Sequence, residues 1–156
     1  MVVQDLASAE SAFHANIGPK AVSSRIRFEA HDFLTKQTLP ADVFLIKSVF
    51  HDWPDKYVAQ IIQNLLPVMK PGNHVLIFDI IVPPEYTEDG APTIPLTARK
   101  TIAAVDLQML VAFNSRERMV EDWAAVVGQS DSKLALKAVH VIPGVPLGIL
   151  DFVYEG

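Results

Sequence analysis

Between Ile46 and Val58 the sequence reads IKSVFHDWPDKYV, an apolar run that breaks at His51-Asp52-Trp53-Pro54-Asp55 before a helix-like pattern begins. An imidazole accepts a proton near neutral pH, so His51 at the mouth of a cleft would serve as a general base. The same residues also read as a core histidine followed by a polar turn and a helix start. Four further polar groups end or interrupt apolar runs: Asp5 ends VVQD, Asp32 follows RIRFEA, Lys47 breaks DVFLIKSVF and Asp79 lies within LIFDII. An unpaired carboxylate among apolar residues is costly, so Asp79 needs a donor such as an imidazole or a hydroxyl. Lys47 either extends its ammonium out of the strand or meets a bound ligand. Asp5 fits either a helix N-cap or an acid that accepts from both hydroxyls of a ribose.

Metal chemistry is the weaker reading. His14, His31, His51, His74 and His140 are scattered, and no two have the i, i+4 spacing of a zinc-binding helix. Asp52 and Asp55 could hold a hard cation with water, but they fit a helix start better. No metal is expected.

These groups gain meaning from the elements that carry them. Val2–Asp5 reads as a short strand, and Leu6–Ile17 as a helix stopped by Gly18-Pro19. Arg25–Ala30 alternates as a half-exposed strand. Asp42–Phe50 is nearly continuous in apolar residues, as for a parallel strand covered on both faces. From Pro54 a helix places Tyr57, Ile61, Ile62, Leu65 and Val68 on one face and ends at Pro71-Gly72. His74–Val82 is a second buried strand, and residues 83–95 are a proline-rich excursion placed as a lid would be. Helices over Thr101–Phe113 and Glu117–Val127 follow, then strands over Leu134–Val141 and Gly148–Tyr154 around a Pro143-Gly144 turn. The alternation predicts an α/β sheet, mostly parallel, with helices on both faces, and ligands in such sheets bind beyond the carboxyl ends of the strands. Asp5, Asp32, Lys47, His51 and Asp79 all fall at that edge.

Composition narrows the function classes. With 156 residues, half of them hydrophobic, and a mean hydropathy of +0.25, the chain can bury a sizeable core. A net charge of −5 without a basic stripe argues against gripping nucleic acid through its phosphates. The absence of cysteine excludes disulfides and thiolate nucleophiles and suits an intracellular setting. No apolar run approaches the roughly 18 residues of a membrane span, and no secretory signal is visible, so a soluble, cytoplasmic protein is expected.

Two stretches carry a family resemblance. ADVFLIKSVFHDWPDKYVAQIIQNLLPVMKPGNHVLIFDIIVP (Ala41–Pro83) with DLQMLVAFNSRERMVEDWAAVV (Asp106–Val127) resembles the C-terminal half of the S-adenosylmethionine-dependent O-methyltransferases of plants and fungi. HDFLTKQTLP and the NSRER form of the later motif are closest to fungal members acting in secondary metabolism. The combination of HDW with the downstream RER and DW is specific, whereas QDL alone is not. The resemblance implies a Rossmann-like class I methyltransferase sheet, mostly parallel with a C-terminal antiparallel strand. It further implies that residues 1–156 are part of the cofactor-binding and catalytic domain, lacking the N-terminal dimerisation domain and the first strand with its glycine-rich loop.

Roles follow from the resemblance residue by residue. His51 matches the base that takes the proton from a substrate hydroxyl. Asp79, a methylene shorter than the glutamate of many relatives, and Glu117 match the two acids that flank it. Asp5 matches the ribose-binding acid, Asp32 and Phe33 the adenine region, and Lys47 a lysine near the cofactor. Met109 and Phe113 would line the acceptor pocket, with Asp52 beside them. The expected cofactor is S-adenosylmethionine without a metal, and the expected ligand a small hydroxylated aromatic or polyketide-like acceptor. A homodimer or a complementing N-terminal half are the expected protein partners, with neither nucleic acid nor membrane. The alternative is a non-methylating remnant that binds a small molecule or a partner chain.

Overall fold

The computed structural model describes residues 1–17, 23–141 and 147–156. The expected helix stop at Gly18-Pro19 and turn at Pro143-Gly144 lie outside the described residues. The elements run β1 (Val2–Asp5), α1 (Glu10–Asn16), β2 (Arg27–Ala30), β3 (Val43–Lys47), α2 (Asp55–Leu65), β4 (His74–Ile80), α3 (Leu96–Phe113), α4 (Val120–Ser130), β5 (Leu134–Val141) and β6 (Leu147–Tyr154). Single turns of 3-10 helix at Ala7–Ala9, Phe50–Asp52 and Leu66–Val68 connect them.

The strands form two sheets. β1 and β2 are a parallel pair, and the second sheet has the order β3-β4-β6-β5. Within it β3 and β4 are parallel, while β4-β6 and β6-β5 are antiparallel. The architecture is α/β with a mixed sheet: β3, β4 and β5 run one way and the C-terminal β6 against them, the pattern that the resemblance implied. The reason is that β6 returns as a hairpin partner of β5 and inserts between β5 and β4, so that it alone runs against its neighbours.

Helices cover one face of the four-stranded sheet. α2 offers Val58, Ile61, Ile62 and Leu65, and α4 offers Trp123, Val126 and Val127, to one core with Val75 and Ile77 of β4 and Leu150 and Phe152 of β6. Burying each large aliphatic or aromatic side chain here contributes roughly 1.5–3 kcal/mol. The other face is open at β3, where Val43 is 49% and Leu45 57% exposed. This corrects the expectation of a strand covered on both faces: its apolar run is nearly continuous, yet only Phe44 and Ile46 pack on the core.

Among the described residues β1 and β3 each pair on one side alone. Between their free edges lies a cavity of about 620 Å³, lined by Met1, Val2 and Gln4 on one side and Val43–Lys47 on the other. A bracket of amides ties β1 to α2 beside it. Gln4 and Gln37 exchange hydrogen bonds through both side-chain amides (3.1 and 2.7 Å), the Gln37 amide nitrogen donates to the Asn64 carbonyl (2.9 Å), and Asn64 Nδ2 donates to the Phe33 carbonyl (3.0 Å). Gln37 is buried, so its polar groups require these partners.

Candidate active site

β3 ends at Lys47, three residues before the apolar run suggested, because Ser48 takes a left-handed conformation (φ 51°) that swings the chain out of the sheet. The Ser48 amide still reaches the Phe78 carbonyl (2.9 Å), so the departing chain stays beside β4. The next residues close a 3-10 turn, Phe50–Asp52, with the Trp53 amide donating to the Phe50 carbonyl (3.0 Å). His51 therefore sits on this turn and not at the strand end. Pro54 then caps α2 and Asp55 occupies its first turn, where a carboxylate favours the helix dipole.

The turn lays His51 against Asp79. Imidazole Nδ1 is hydrogen bonded to Asp79 Oδ1, the His51 amide donates to Asp79 Oδ2 (3.3 Å), and the Ile80 amide donates to Oδ1 (3.0 Å). The shorter acid thus reaches the imidazole, and three donors satisfy a carboxylate that is 1% exposed. Nε2 faces away from Asp79 and lies 3.3 Å from Asp52 Oδ1. The His51 pKa is raised, chiefly by the hydrogen bond to Asp79; burial opposes this, and the charges of Asp79, Asp52 and Glu117 reinforce it.

Glu117 completes an acidic wall. It precedes α4 rather than opening that helix, and its backbone amide donates to Asp106 Oδ1 of α3 (2.7 Å). Its carboxylate is 6% exposed, and neither oxygen has a hydrogen-bond partner among the described residues. Burial raises its pKa to about 7; the imidazole of His51 pulls the other way, and the nearby Asp79 and Asp106 add to the rise. Near neutral pH this carboxyl is poised between its two protonation states. It opens on a cavity of about 230 Å³ shared with Glu85, Arg99, Ile102, Asp106 and Met119. Pro83, Glu85 and Ile94 of the proline-rich excursion wall the same cavity, which is the position a lid would take.

The other expected site residues are spread around this centre. Lys47 and Phe33 line the cavity between the sheets, Lys47 with its ammonium 5.4 Å from the Phe78 ring and Phe33 edge-on to Trp53 at 5.5 Å. Asp5 and Asp32 are exposed at the ends of β1 and β2, outside the lining of that cavity. Asp5 Oδ1 accepts from the Leu6 amide (2.7 Å) and Asp32 Oδ1 from the Leu34 amide (2.9 Å), so both also shape their turns. Met109 is buried in α3 and Phe113, one turn on, is largely exposed. Among the described residues no cluster of three or more His, Cys, Asp or Glu could hold a metal ion, and no helix is long and apolar enough to cross a membrane.

One residue escaped the sequence reading. Arg118, in the polar run NSRERM, is fully buried, and its guanidinium bonds Asp55 and the carbonyls of Phe50 and Trp53. Its signal was available in part: Asp55, placed at a helix start, is an acid with capacity for a partner.

Comparison with known proteins gives this geometry a context. An O-methyltransferase domain model matches residues 1–131. The grayanic acid biosynthesis cluster O-methyltransferase of Cladonia grayi is 39% identical over 155 residues, covering 99% of this chain and 33% of the relative. The O-methyltransferase gsfB of Penicillium aethiopicum is 33% identical over 156 residues, covering 99% of this chain and 35% of the relative. Among solved structures, NcsB1, an O-methyltransferase from neocarzinostatin biosynthesis in complex with S-adenosylmethionine and 2-hydroxy-5-methyl naphthoic acid, aligns with a TM-score of 0.76 at 22% identity, covering 98% of this chain and 41% of that one. The chain spans about a third of the length of the curated relatives it matches. It belongs to the O-methyltransferase family, alongside fungal enzymes of secondary metabolism.

Proposed function

We propose that this chain is the catalytic portion of an S-adenosylmethionine-dependent O-methyltransferase that methylates a hydroxyl of a small aromatic or polyketide-like metabolite, with His51 as the base. The observation that carries the reading is the imidazole held through Nδ1 by buried Asp79 with Nε2 turned outward. In the neutral tautomer that this pairing favours, Nδ1 keeps its proton and Nε2 presents a lone pair. A substrate hydroxyl entering beside Asp52 gives its proton to Nε2 as its oxygen becomes nucleophilic. Glu117 and Asp79 stabilise the imidazolium that results, since both are carboxyls facing the ring.

S-adenosylmethionine supplies a methyl group on a sulfonium centre, already activated for displacement. The residues present suit it at the strand ends: Asp5 for the ribose hydroxyls, Asp32 and Phe33 for the adenine, and Lys47 at the mouth of the cavity between the sheets. The protein's remaining task is alignment, which converts binding into rate by fixing oxygen and methyl in line. Met109 and Phe113 of α3, with Asp52, are assigned to the acceptor side.

The unpaired edges of β1 and β3 face one cavity, and their open backbone N–H and C=O groups are a template for a further strand. We assign that place to a strand from the longer protein's preceding segment, followed by the glycine-rich loop that approaches the methyl donor. No Gly-x-Gly occurs in these 156 residues.

Calorimetric titration with S-adenosylmethionine tests both halves of the proposal. The chain alone is expected not to bind, and co-expression with the preceding segment is expected to restore binding and methylation of phenolic acceptors. Saturable binding by the chain alone would remove the need for the added strand, and binding without transfer to any hydroxylated acceptor would favour the non-methylating alternative.

A further inference from the structure

We infer that Arg118 is the positioning residue of the catalytic turn, fixing the turn that bears His51 against the strand that bears Asp79 and the loop that bears Glu117. The inference rests on the reading of His51 as a base. It adds a residue that touches neither acceptor nor methyl donor and acts through the histidine.

The geometry is that of a clamp. Arg118 Nε and Nη2 both donate to Asp55 Oδ1 (2.9 and 2.7 Å), Nη2 donates to the Trp53 carbonyl (2.7 Å), and Nη1 donates to the carbonyls of Phe50 (3.1 Å) and Arg116 (3.4 Å). Phe50 and Trp53 bracket His51 and Asp52, so one planar cation grips the turn on both sides of the histidine. The guanidinium carbon lies 4.8 Å from the Trp123 ring centre, which places α4 behind the clamp. The main chain of Arg118 meanwhile continues the sheet: it bridges Ile81 in parallel, and its carbonyl accepts from the Val82 amide (3.0 Å). Ile81 lies two residues past Asp79 and Arg118 one past Glu117. Backbone and side chain of one residue therefore join all three groups of the centre.

The chemistry of the clamp calls for arginine. A lysine has one charged nitrogen with three donors and cannot serve three carbonyls and a carboxylate in one plane. A merely structural buried pair can be replaced by apolar groups at little cost, so stability alone does not separate the two roles. The titration of His51 does. The charged groups facing the imidazole are Asp79 from β4, Asp52 from its own turn and Glu117 from the loop, with Asp106 of α3 behind Glu117. Arg118→Lys keeps the positive charge among them, so a change in His51 reports its placement.

The experiment follows the His51 imidazole by NMR titration, assigned by its loss in H51Q, in the full chain and in R118K. Loosening the Asp79 hydrogen bond is expected to lower the His51 midpoint toward its ordinary value and, in the complemented enzyme, to lower kcat about tenfold with KM unchanged. Asp55→Asn, at a half-exposed side chain that leaves the carbonyl contacts of Arg118 in place, is expected to shift the midpoint the same way by less. An unmoved midpoint in folded R118K and D55N overturns the inference. Failure of both variants to fold also overturns it, since the role would then be stability alone. A shifted midpoint in a protein that methylates nothing supports the clamp while removing the function it was placed in.

Discussion

Strand β4 carries a histidine-aspartate pair at each end. At its start, His74 Nδ1 meets Asp151 Oδ1 of β6 at 2.6 Å; near its end, Asp79 holds Nδ1 of His51. By atom type and contact the two are alike, yet their settings differ. The Asp151 side chain is 16% exposed and that of Asp79 2%, and among the described residues only the second pair has a further buried acid, Glu117, and a buried cation, Arg118, around it. The first joins neighbouring strands across a cross-strand diagonal and lies at the amino end of β4. The second joins a strand to a turn at the carboxyl end, where open α/β sheets bind ligands. A pair becomes a site through what surrounds it.

The sharpest way to break this contrast is to delete each imidazole. In the longer or complemented enzyme, His51→Ala is expected to cost roughly 10²–10⁴-fold in kcat as a lost general base. His74→Ala is expected to change kcat by less than about threefold, within the range of surface substitutions. Equal losses in a methyl-transfer assay would show that the two pairs do not differ in kind.

The acid behind His51 supplies the next largest effect. Glu117 holds its proton more tightly folded than unfolded, with a pKa raised from 4.5 to about 7. Its contribution to stability is therefore complete below pH about 4.5 and is lost as pH rises through about 7. Glu117→Gln removes that titration. The stability of the variant relative to the parent is expected to improve by up to about 3 kcal/mol between pH 4.5 and pH 8. Urea unfolding across that range checks it, and a constant difference would mean that Glu117 ionises freely in the folded protein.

Much of this frame is legible in the chain itself, for definable reasons. His51 and Asp79 stand out because a polar group inside an apolar run must have a partner, and the helix after Pro54 is announced by its proline and acid. The antiparallel run of β6 is legible through the family resemblance and not through periodicity, since strand direction is set by the partner that β6 finds and not by its own sequence. The early end of β3 is hidden: Ser48 adopts a left-handed conformation without the glycine or asparagine that would signal it. Arg118 reads as surface charge because its partners, Phe50, Trp53 and Asp55, lie more than 60 residues earlier in the sequence. Glu117, by contrast, was named through family resemblance alone; its burial and missing partners emerge only in three dimensions.

Replacing Asp79 tests the hydrogen bond that distinguishes the site. With His51 as the proposed base, which must be neutral to accept a proton, the rate of the complemented parent is expected to rise with pH through the raised pKa of the imidazole. Asp79→Asn removes the largest cause of that rise. The rising limb is expected to move to lower pH while the plateau falls by about tenfold, as the ring loses both its orientation and the charge that stabilises the imidazolium. A pH-rate profile with the limb in place and only the plateau lowered would assign Asp79 to packing.

The smallest effect belongs to the other pair. His74 and Asp151 sit on the half-exposed side of β4 and β6, on the face that bears the exposed Val43 and Leu45 and away from the α2-α4 core. Ion pairs in such settings contribute little, because water screens them and holding two side chains in one geometry costs entropy. The surrounding ladder is independent of them: β4 and β6 pair over seven residues, from His74↔Val153 to Ile80↔Leu147, through their backbones. Asp151→Asn keeps the shape and an acceptor oxygen for the imidazole. It is expected to destabilise by less than about 1 kcal/mol in urea unfolding and to leave the pH-rate limb of His51 in place. A loss of several kcal/mol would mean that this pair is desolvated in the assembled protein, covered by whatever lies on the open face. The contrast between the two ends of β4 would then be one of partners and not of burial.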